Sequence, residues 1–295
     1  MSAPVVLFAY RRPDHLRRAL VALAANPEAA HSPLVVFCDG ARDSGAEGAV
    51  AEVRRVAHAA KGFASVEVVE REHNLGLMTS ITEGVTRVTR AHESAIVVED
   101  DLVVAPRFLE FMNLALERYA SEPRVMQISG YMYPCELRGA AGSGFLPSIS
   151  CWGWATWDRS WRAYDPSASA WDRLRADPAA KRRFDMDGGY DYSGMIESVR
   201  RGTLESWGVV WYLSVFSRGG LVLYPRKSLV TNTGFDGSGT HGGGDLGAVA
   251  LWRPDGAFEL PERLDIDPQY YGESRRAILA SQKGWRHWLR RLQAR

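Results

Sequence analysis

Residues 94–101 read Ser-Ala-Ile-Val-Val-Glu-Asp-Asp, an apolar run that ends abruptly in three acids. An uninterrupted run of this kind predicts a strand that is buried on both faces, as in a parallel sheet covered by helices. Ligands of such sheets bind beyond the carboxyl ends of the strands. Glu99, Asp100 and Asp101 are therefore placed to meet a ligand.

On either side of this stretch, short apolar runs alternate with segments of helical period. Strands that cross over through helices form a mainly parallel sheet. We therefore expect an α/β fold with a central, mainly parallel, mixed sheet flanked by helices. The predicted strands are residues 4–10, 34–38, 65–69, 94–98 and 125–129, and the predicted helices start at residue 14 or span residues 50–60, 77–89 and 106–119.

From residue 131 the sequence becomes irregular, rich in glycine and rich in aromatic residues. Eight of the ten tryptophans lie between residues 152 and 252, so this half differs in kind from the first. We predict a ligand-binding half at 1–130, a catalytic half of the same domain at 131–245, and a C-terminal extension at 246–295.

The overall charge argues against some partners. Lys and Arg total 36 against 35 Asp and Glu, so no global field attracts nucleic acid. The three cysteines lack metal-site or disulfide spacing, which predicts reduced thiols. The sequence shows neither a charged leader nor an apolar run of about 18 residues. We expect a cytoplasmic protein that binds no nucleic acid.

The three acids suggest a metal site. Adjacent carboxylates repel one another unless a cation or hydrogen-bond donors compensate them, and Mn²⁺ or Mg²⁺ prefers oxygen ligands. Such a cation also stabilises a departing diphosphate. The alternative is that Glu99, Asp100 and Asp101 merely form an acidic cap for the following helix.

Two polar segments follow the second and third predicted strands. Asp39-Gly40 offers a carboxylate for a base or ribose, or else forms a common Asp-Gly turn. Residues 73–76, His-Asn-Leu-Gly, are predicted at the same sheet edge, where they are either part of a site or the loop that starts a helix.

Residues 150–157 read Ser-Cys-Trp-Gly-Trp-Ala-Thr-Trp, which is too aromatic for an ordinary loop. Tryptophan faces stack well on the C–H faces of sugars, although many tryptophans are simply core residues. We predict that Trp152 and Trp154 line a cleft, and that Trp157 and Trp161 belong to the core.

Glu205 precedes an apolar segment at 209–216. A partly desolvated carboxylate there suits general-base catalysis. The alternative is an acid that favours the positive end of a helix.

Residues 234–244 form a glycine-rich loop with a histidine in its middle. Such a loop can close over a phosphate, to which Ser238 and His241 would donate hydrogen bonds; the alternative is a plain connector. At residues 285–292, tryptophan and leucine share one helical face and arginines lie off it. This short basic helix contacts a membrane, docks on the domain or forms a homodimer.

Taken together, several motifs resemble those of bacterial glycosyltransferases. They are Tyr-Arg-Arg-Pro at 10–13, Cys-Asp-Gly at 38–40, His-Asn-Leu-Gly at 73–76, the three acids, the tryptophan block, and residues 232–241. These enzymes have the GT-A fold and are distantly similar to N-acetylglucosaminyltransferase I. The resemblance spans residues 4–245.

The resemblance implies roles for individual residues. It places Mn²⁺ (or Mg²⁺) on Asp101, with Glu99 and Asp100 facing the sugar or ribose of a nucleotide sugar. It further assigns recognition of uracil to Asp39 and contacts with the nucleotide to Arg12 and His73, and we add Trp154, Ser238 and His241 to the donor site. The family's catalytic base corresponds to Glu205, where Asp is more usual.

The implied activity is an inverting, metal-dependent transfer of a hexosyl or N-acetylhexosaminyl group from a UDP-sugar to a glycan or lipid-linked acceptor in surface polysaccharide synthesis. Residues 1–130 would then bind the donor and 131–245 the acceptor. One alternative is a nucleotidyltransferase that makes sugar nucleotides, although the first strand lacks a glycine-rich phosphate loop. Another is a non-catalytic carbohydrate-binding protein, which has no need for the acids.

Overall fold

The computed structural model describes residues 2–137, 142–236 and 249–293, with side chains through residue 280. Its first hundred residues alternate strands and helices in the predicted order. The strands are rich in β-branched residues, which favour extended backbone. The elements are β1 (Val5–Ala9), α1 (Pro13–Ala24), β2 (Pro33–Cys38), α2 (Glu47–His58), β3 (Ser65–Glu70), α3 (Gly76–His92) and β4 (Ser94–Glu99).

Apart from α10, the remainder of the chain has shorter elements. The helix after residue 106, the strand at 125–129 and a short helix near residues 285–292 were predicted there. The strands β5, β7, β8, β9 and β10 have three or four residues each, too few for a clear pattern. The elements are β5 (Leu102–Val104), α4 (Phe108–Arg118), β6 (Val125–Ser129), β7 (Gly144–Leu146), β8 (Trp154–Trp157), α5 (Asp158–Trp161), α6 (Ala170–Arg175), α7 (Pro178–Phe184), α8 (Tyr192–Arg200), α9 (Trp207–Phe216), β9 (Leu221–Tyr224), β10 (Val230–Asn232) and α10 (Pro268–Gln293).

One large sheet has the strand order β3-β2-β1-β4-β8-β6-β9-β7. The first four strands in this order are mutually parallel. Strand β8 runs antiparallel to β4 and β6, whereas β9 is parallel to β6 and β7 is antiparallel to β9. The predicted α/β fold with a mainly parallel, mixed sheet flanked by helices is confirmed. The domain boundaries near residues 130 and 245 stay predictions, although strands from both sides of residue 130 share this sheet.

Helices cover both faces of the sheet. Successive side chains of a strand point to opposite faces, so β1 contributes to two cores. Val5 and Leu7 pack with α1, α2 and α4, whereas Val6 and Phe8 pack with α3 and α9. Burial on both sides explains why the central strands read as continuous apolar runs.

Helix α9 is apolar on all sides because it lies between two clusters. Trp211 belongs to the core beneath the sheet, and Tyr212 belongs to a third cluster formed with α6, α7 and α8. The apolar segment noted at 209–216 is therefore a buried helix that packs on the sheet on one side and on the third cluster on the other.

Helix α10 has 26 residues and is much longer than the helix predicted near residues 285–292. Its first turns pack on the domain, where Tyr270 is fully buried and Arg275 donates to the carbonyl oxygens of Met186 and Asp187. The side chains of Trp285 and Trp288 lie outside the described part, so the predicted membrane or dimer contact stays a prediction. Across residues 2–137, 142–236 and 249–293, no helix combines the length and apolarity needed to cross a membrane.

Candidate active site

The three acids lie at the carboxyl edge of the parallel strands. Glu99 ends β4, and the backbone N–H of Asp100 continues the ladder by donating to the carbonyl oxygen of Phe8 at 3.0 Å. Asp100 is only 3% exposed, whereas Glu99 and Asp101 keep more accessible surface. Asp100 is thus enclosed at the edge of the sheet, whereas Glu99 and Asp101 each keep part of their surface accessible.

Arg12 lies against these acids. It follows β1, the parallel neighbour of β4, so the ends of the two strands meet at one edge. Its Nη2 atom donates to Asp100 Oδ1 and, at 2.9 Å, to Asp101 Oδ2. The preceding Arg11 is exposed and contacts the ring of Tyr10 instead. The contact of Asp100 with a sugar or ribose stays a prediction; in the structure its buried carboxylate accepts a hydrogen bond from the guanidinium of Arg12.

The acids carry more negative charge than Arg12 compensates. Burial, followed by the charges of Asp101 and Asp100, raises the pKa of Glu99 to about 8. Burial also raises the pKa of Asp100 to about 6, although Arg12 opposes that rise. Burial by itself lowers the pKa of Arg12, but Asp100 and Asp101 outweigh it and the net pKa is raised. One arginine therefore faces three carboxylates, and the edge favours a further cation.

The donor set fits a hard divalent cation that a substrate helps to hold. Mg²⁺ is commonly bound by one or two carboxylates together with substrate phosphates and water, and Mn²⁺ likewise prefers oxygen. Within the described residues, no group of three or more His, Cys, Asp or Glu side chains could enclose a metal ion. Asp101, the carboxylate predicted to hold Mn²⁺ or Mg²⁺, would share such a cation with phosphate oxygens and water.

A short segment after β10 lies directly on Asp101, because β10 pairs with β5 and so returns the chain to the acids. Thr233 donates its backbone N–H and its hydroxyl to the carbonyl oxygen of Asp101 at 2.8 and 2.9 Å. A Cβ atom on Gly234 would lie 2.3 Å from Asp101 Oδ2, so this close approach requires glycine. Sequence analysis placed Gly234 in the loop motif but gave no sign of this contact.

The same segment is tied to α1. His15 is buried on α1, and its Nε2 atom lies 3.2 Å from both the carbonyl oxygen of Thr233 and Asp236 Oδ2. Sequence analysis did not identify His15 as part of the site, since its position on α1 reads as an ordinary helical one. Ser238 and His241, predicted to meet phosphate, lie outside the described residues.

Asp39 lies at the same edge, where its buried carboxylate is engaged by the chain itself. Oδ1 accepts from the backbone N–H groups of Gly40 and Leu75 at 3.0 and 2.9 Å. Oδ2 accepts from Asn74 Nδ2 and the N–H of Gly76 at 3.0 and 3.1 Å. These four bonds fix the loop that starts α3. Asp39 and residues 73–76 thus form one unit, as their common sheet edge predicted.

Close packing reinforces this unit. A Cβ atom on Gly40 would lie 2.3 Å from the backbone carbonyl carbon of His73, so the two backbones touch. The side chain of His73 is exposed at the rim. Its predicted contact with a nucleotide stays a prediction, and the structure places it on the same side of the sheet as the acids.

The predicted role of Trp154 in the cleft is wrong. Trp154 is the first residue of β8, is 1% exposed, and packs against Trp161 and Trp207 with ring centroids 5.6 and 5.3 Å apart. A ring enclosed on all sides cannot stack on a sugar. Trp157 and Trp161 are buried as predicted.

Trp152 is the partly exposed tryptophan of the block. Gly153, between Trp152 and Trp154, has a positive φ of 60°, so the extended backbone of β8 begins only at Trp154. Trp152 packs edge-to-face on Tyr131 and Phe235, at centroid distances of 4.7 and 5.8 Å. These contacts hold the ring at the edge of the site, and the sequence gave no sign that Tyr131 takes part.

Glu205 lies just before Ser206, which precedes α9 and caps it by accepting a hydrogen bond from the N–H of Val209. Helix α9 packs closely on Cys151, since a Cβ atom on Gly208 would lie 2.6 Å from Cys151 Sγ. Burial, followed by the charge of Glu99, raises the pKa of Cys151. The expectation of a partly desolvated Glu205 is wrong, because its side chain is exposed ahead of the helix.

Two cavities of about 500 and 420 Å³ lie elsewhere. The larger is lined by residues of α6 and the C-terminal end of α9, and the smaller by residues near the start of β9 and α10. None of their lining residues was predicted to belong to the site. The candidate site is instead the open edge around the acids.

Comparisons with known proteins add little. No protein-family model matches the chain, and no curated protein matches it. Among solved structures, the chain is similar to TarS of S. aureus, a glycosyltransferase, with 15% identity and a TM-score of 0.31. The match covers 48% of this chain and 23% of TarS. A similarity this weak supports no transfer of activity, and the resemblance to N-acetylglucosaminyltransferase I stays a prediction.

Proposed function

We propose that this chain is a metal-dependent, inverting glycosyltransferase that transfers a sugar from a UDP-sugar to a hydroxyl of a glycan or lipid-linked acceptor. The observation that supports it most is the group of three acids at the carboxyl edge of the parallel strands. Among the described residues, Arg12 is the one cationic side chain that contacts these acids. Such an excess of carboxylates matches a site for a cation and a diphosphate.

In this proposal Asp101 holds Mn²⁺ (or Mg²⁺) together with the diphosphate. When bound, the cation supplies Lewis-acid stabilisation of the leaving diphosphate. Arg12 keeps Asp101 oriented and adds positive charge beside the phosphates. Glu99, which retains accessible surface at the cleft, faces the donor sugar.

Glu205 is the proposed general base. Its exposed carboxylate would accept the proton of the acceptor hydroxyl, whose oxygen forms the new bond to the anomeric carbon. The bond from that carbon to the diphosphate oxygen breaks on the opposite face, so the configuration inverts. The partly exposed ring of Trp152 offers a pyranose an apolar wall beside Phe235.

Thermal unfolding with and without ligand tests this function. We expect UDP-glucose, UDP-galactose or UDP-N-acetylglucosamine to raise the melting temperature by about 5 °C at roughly 100 times its Kd, because a ligand that binds only the folded state stabilises it. The rise should require Mn²⁺ and vanish with a chelator. Asp101→Asn should abolish it.

Asp158→Asn is the matched control. The side chain of Asp158 is 16% exposed and pairs with Arg162, and that of Asp101 is 15% exposed and pairs with Arg12. The two aspartates differ in position, because Asp158 lies at the opposite end of the sheet. The proposal fails if wild-type protein binds no UDP-sugar, or if Asp101→Asn and Asp158→Asn behave alike. Release of pyrophosphate from UTP and a sugar phosphate would identify a nucleotidyltransferase, and metal-free binding of glycan alone a carbohydrate-binding protein.

A further inference from the structure

The carboxylate of Asp39 has no capacity left for a nucleobase. A carboxylate offers about four lone-pair positions, and Asp39 fills four with donors from Gly40, Asn74, Leu75 and Gly76. A base that bonded to Asp39 would have to displace one of them, leaving a buried donor unpaired at a cost of about 1–3 kcal/mol. The carboxylate of Asp39 therefore holds the loop at residues 74–76 in place and does not bind the base itself.

The arrangement fixes the side chain of Asn74. Its Nδ2 group donates to Asp39 Oδ2 and to the carbonyl oxygen of Gly40, each at 3.0 Å. With both amide protons committed to acceptors, the orientation of the amide is determined, and Oδ1 points away from them.

Asn74 Oδ1 is an accessible acceptor. Within the described residues no donor bonds to it, and it is absent from the buried side-chain atoms that lack a partner, so this atom retains contact with solvent. An acceptor held in one orientation selects a ligand that presents an N–H or O–H group at that point.

Its position suits the base of the proposed nucleotide. Asn74 is bound to the residues that end β2, and β2 is separated from β4 by β1 alone. With neighbouring strands about 4.8 Å apart, the two strand ends are roughly 10 Å apart. A base and its ribose span a similar length, so a nucleotide whose diphosphate lies at Asp101 can bring its base to Asn74.

We infer that Asn74, held in place by Asp39, recognises the base of a uridine nucleotide by accepting a hydrogen bond from uracil N3–H at Oδ1. This inference rests on the proposed function. Asp39 is then a positioning residue, and Asn74 contacts the ligand. Cytosine carries an acceptor at N3, so a cytidine nucleotide bound in the same pose would lose this hydrogen bond, whereas thymine presents the same N3–H as uracil.

The test compares binding of UDP, CDP and dTDP in Mn²⁺ by calorimetry. We expect Asn74→Ala to reduce the preference for UDP over CDP on the order of tenfold. The UDP-to-dTDP ratio should not change, because both bases present N3–H. Asp39→Asn should also reduce the UDP-to-CDP ratio, since its new amide group opposes the N–H groups of Asn74 and Gly76.

Asn113→Ala is the control, because Asn113 is a half-buried bridging amide on α4 that bonds to Ala3 and Leu109. If Asn74→Ala unfolds, Asn74→Ser replaces it, since its short hydroxyl cannot reach the base. The inference is overturned if the position-74 variant keeps the UDP-to-CDP ratio of Asn113→Ala, whatever Asp39→Asn does. If wild-type protein binds none of the three nucleotides, the proposed function itself has failed.

Discussion

Two sets of carboxylates lie at the same sheet edge and are satisfied to different degrees. Asp39 receives four hydrogen bonds from one loop, so its charge is used within the fold. Glu99, Asp100 and Asp101 share Arg12, and the pKa values of Glu99 and Asp100 are raised because burial and mutual repulsion are not offset. Burial alone thus does not mark a ligand site. Unbalanced charge at an accessible edge is what makes the three acids the candidate ligand site.

The largest effect should follow from removing the satisfied carboxylate. Asp39→Ala leaves the donors on Asn74, Leu75 and Gly76 without their acceptor, and we expect the free energy of unfolding to fall by about 4 kcal/mol. Urea denaturation measures this. Asp43→Ala is the control, because exposed Asp43 accepts from the N–H of Ala46 at the start of a short 3-10 turn and should cost about 1 kcal/mol. Equal losses would show that the bonds to Asp39 contribute little.

The unbalanced acids should make stability depend on pH in the opposite sense to an ordinary ion pair. The folded pKa values of Glu99 and Asp100, about 8 and about 6, exceed the ordinary 4.5 and 3.8. The folded protein therefore binds more protons than the unfolded chain in this range, and stability falls as pH rises from about 4 to 8. We expect Glu99→Gln to reduce this fall by on the order of 3 kcal/mol in chelator.

Denaturation at pH 5 and pH 8 provides the measurement, and added Mn²⁺ should restore stability at pH 8 in wild-type protein. Glu110→Gln serves as control, because Glu110 pairs with Arg107 on α4, away from the acids. A wild-type stability that is the same at both pH values, or a Glu99→Gln profile identical to that of Glu110→Gln, would refute the assigned charge imbalance.

The sequence was sufficient for the parallel half of the sheet and for the position of the acids. The apolar run at residues 94–98 has the length and the β-branched content of a covered strand, whereas the similar run at 209–216 forms α9. The bonds of Asp39 were not predictable, because they join residues 35 to 37 positions apart and depend on how two loops meet. Strands of three or four residues, such as β8, were likewise too short to show a period.

The two tryptophans beside Gly153 show the same limit. Both read as cleft residues from the sequence, and only the pairing of β8 with β4 and β6 determines that Trp154 is enclosed and Trp152 is not. Pairing between distant strands is a property of the whole fold, so a local pattern cannot assign the exposed ring. The exposure of Glu205 was not predictable for the same reason, since it depends on how α9 docks.

The smallest change in stability should come from Trp152, which is partly exposed where Trp154 is enclosed. Trp152 is partly exposed and rests on Tyr131 and Phe235, so Trp152→Ala should cost about 1 kcal/mol, against about 4 kcal/mol for Trp154→Ala. If its free face binds a pyranose, Trp152→Ala should leave the affinity for UDP unchanged yet lower transfer. Denaturation, calorimetry with UDP and turnover, all on Trp152→Ala, distinguish a sugar-binding ring from a buried one. A fall of about 4 kcal/mol in its free energy of unfolding would instead place Trp152 in the core beside Trp154.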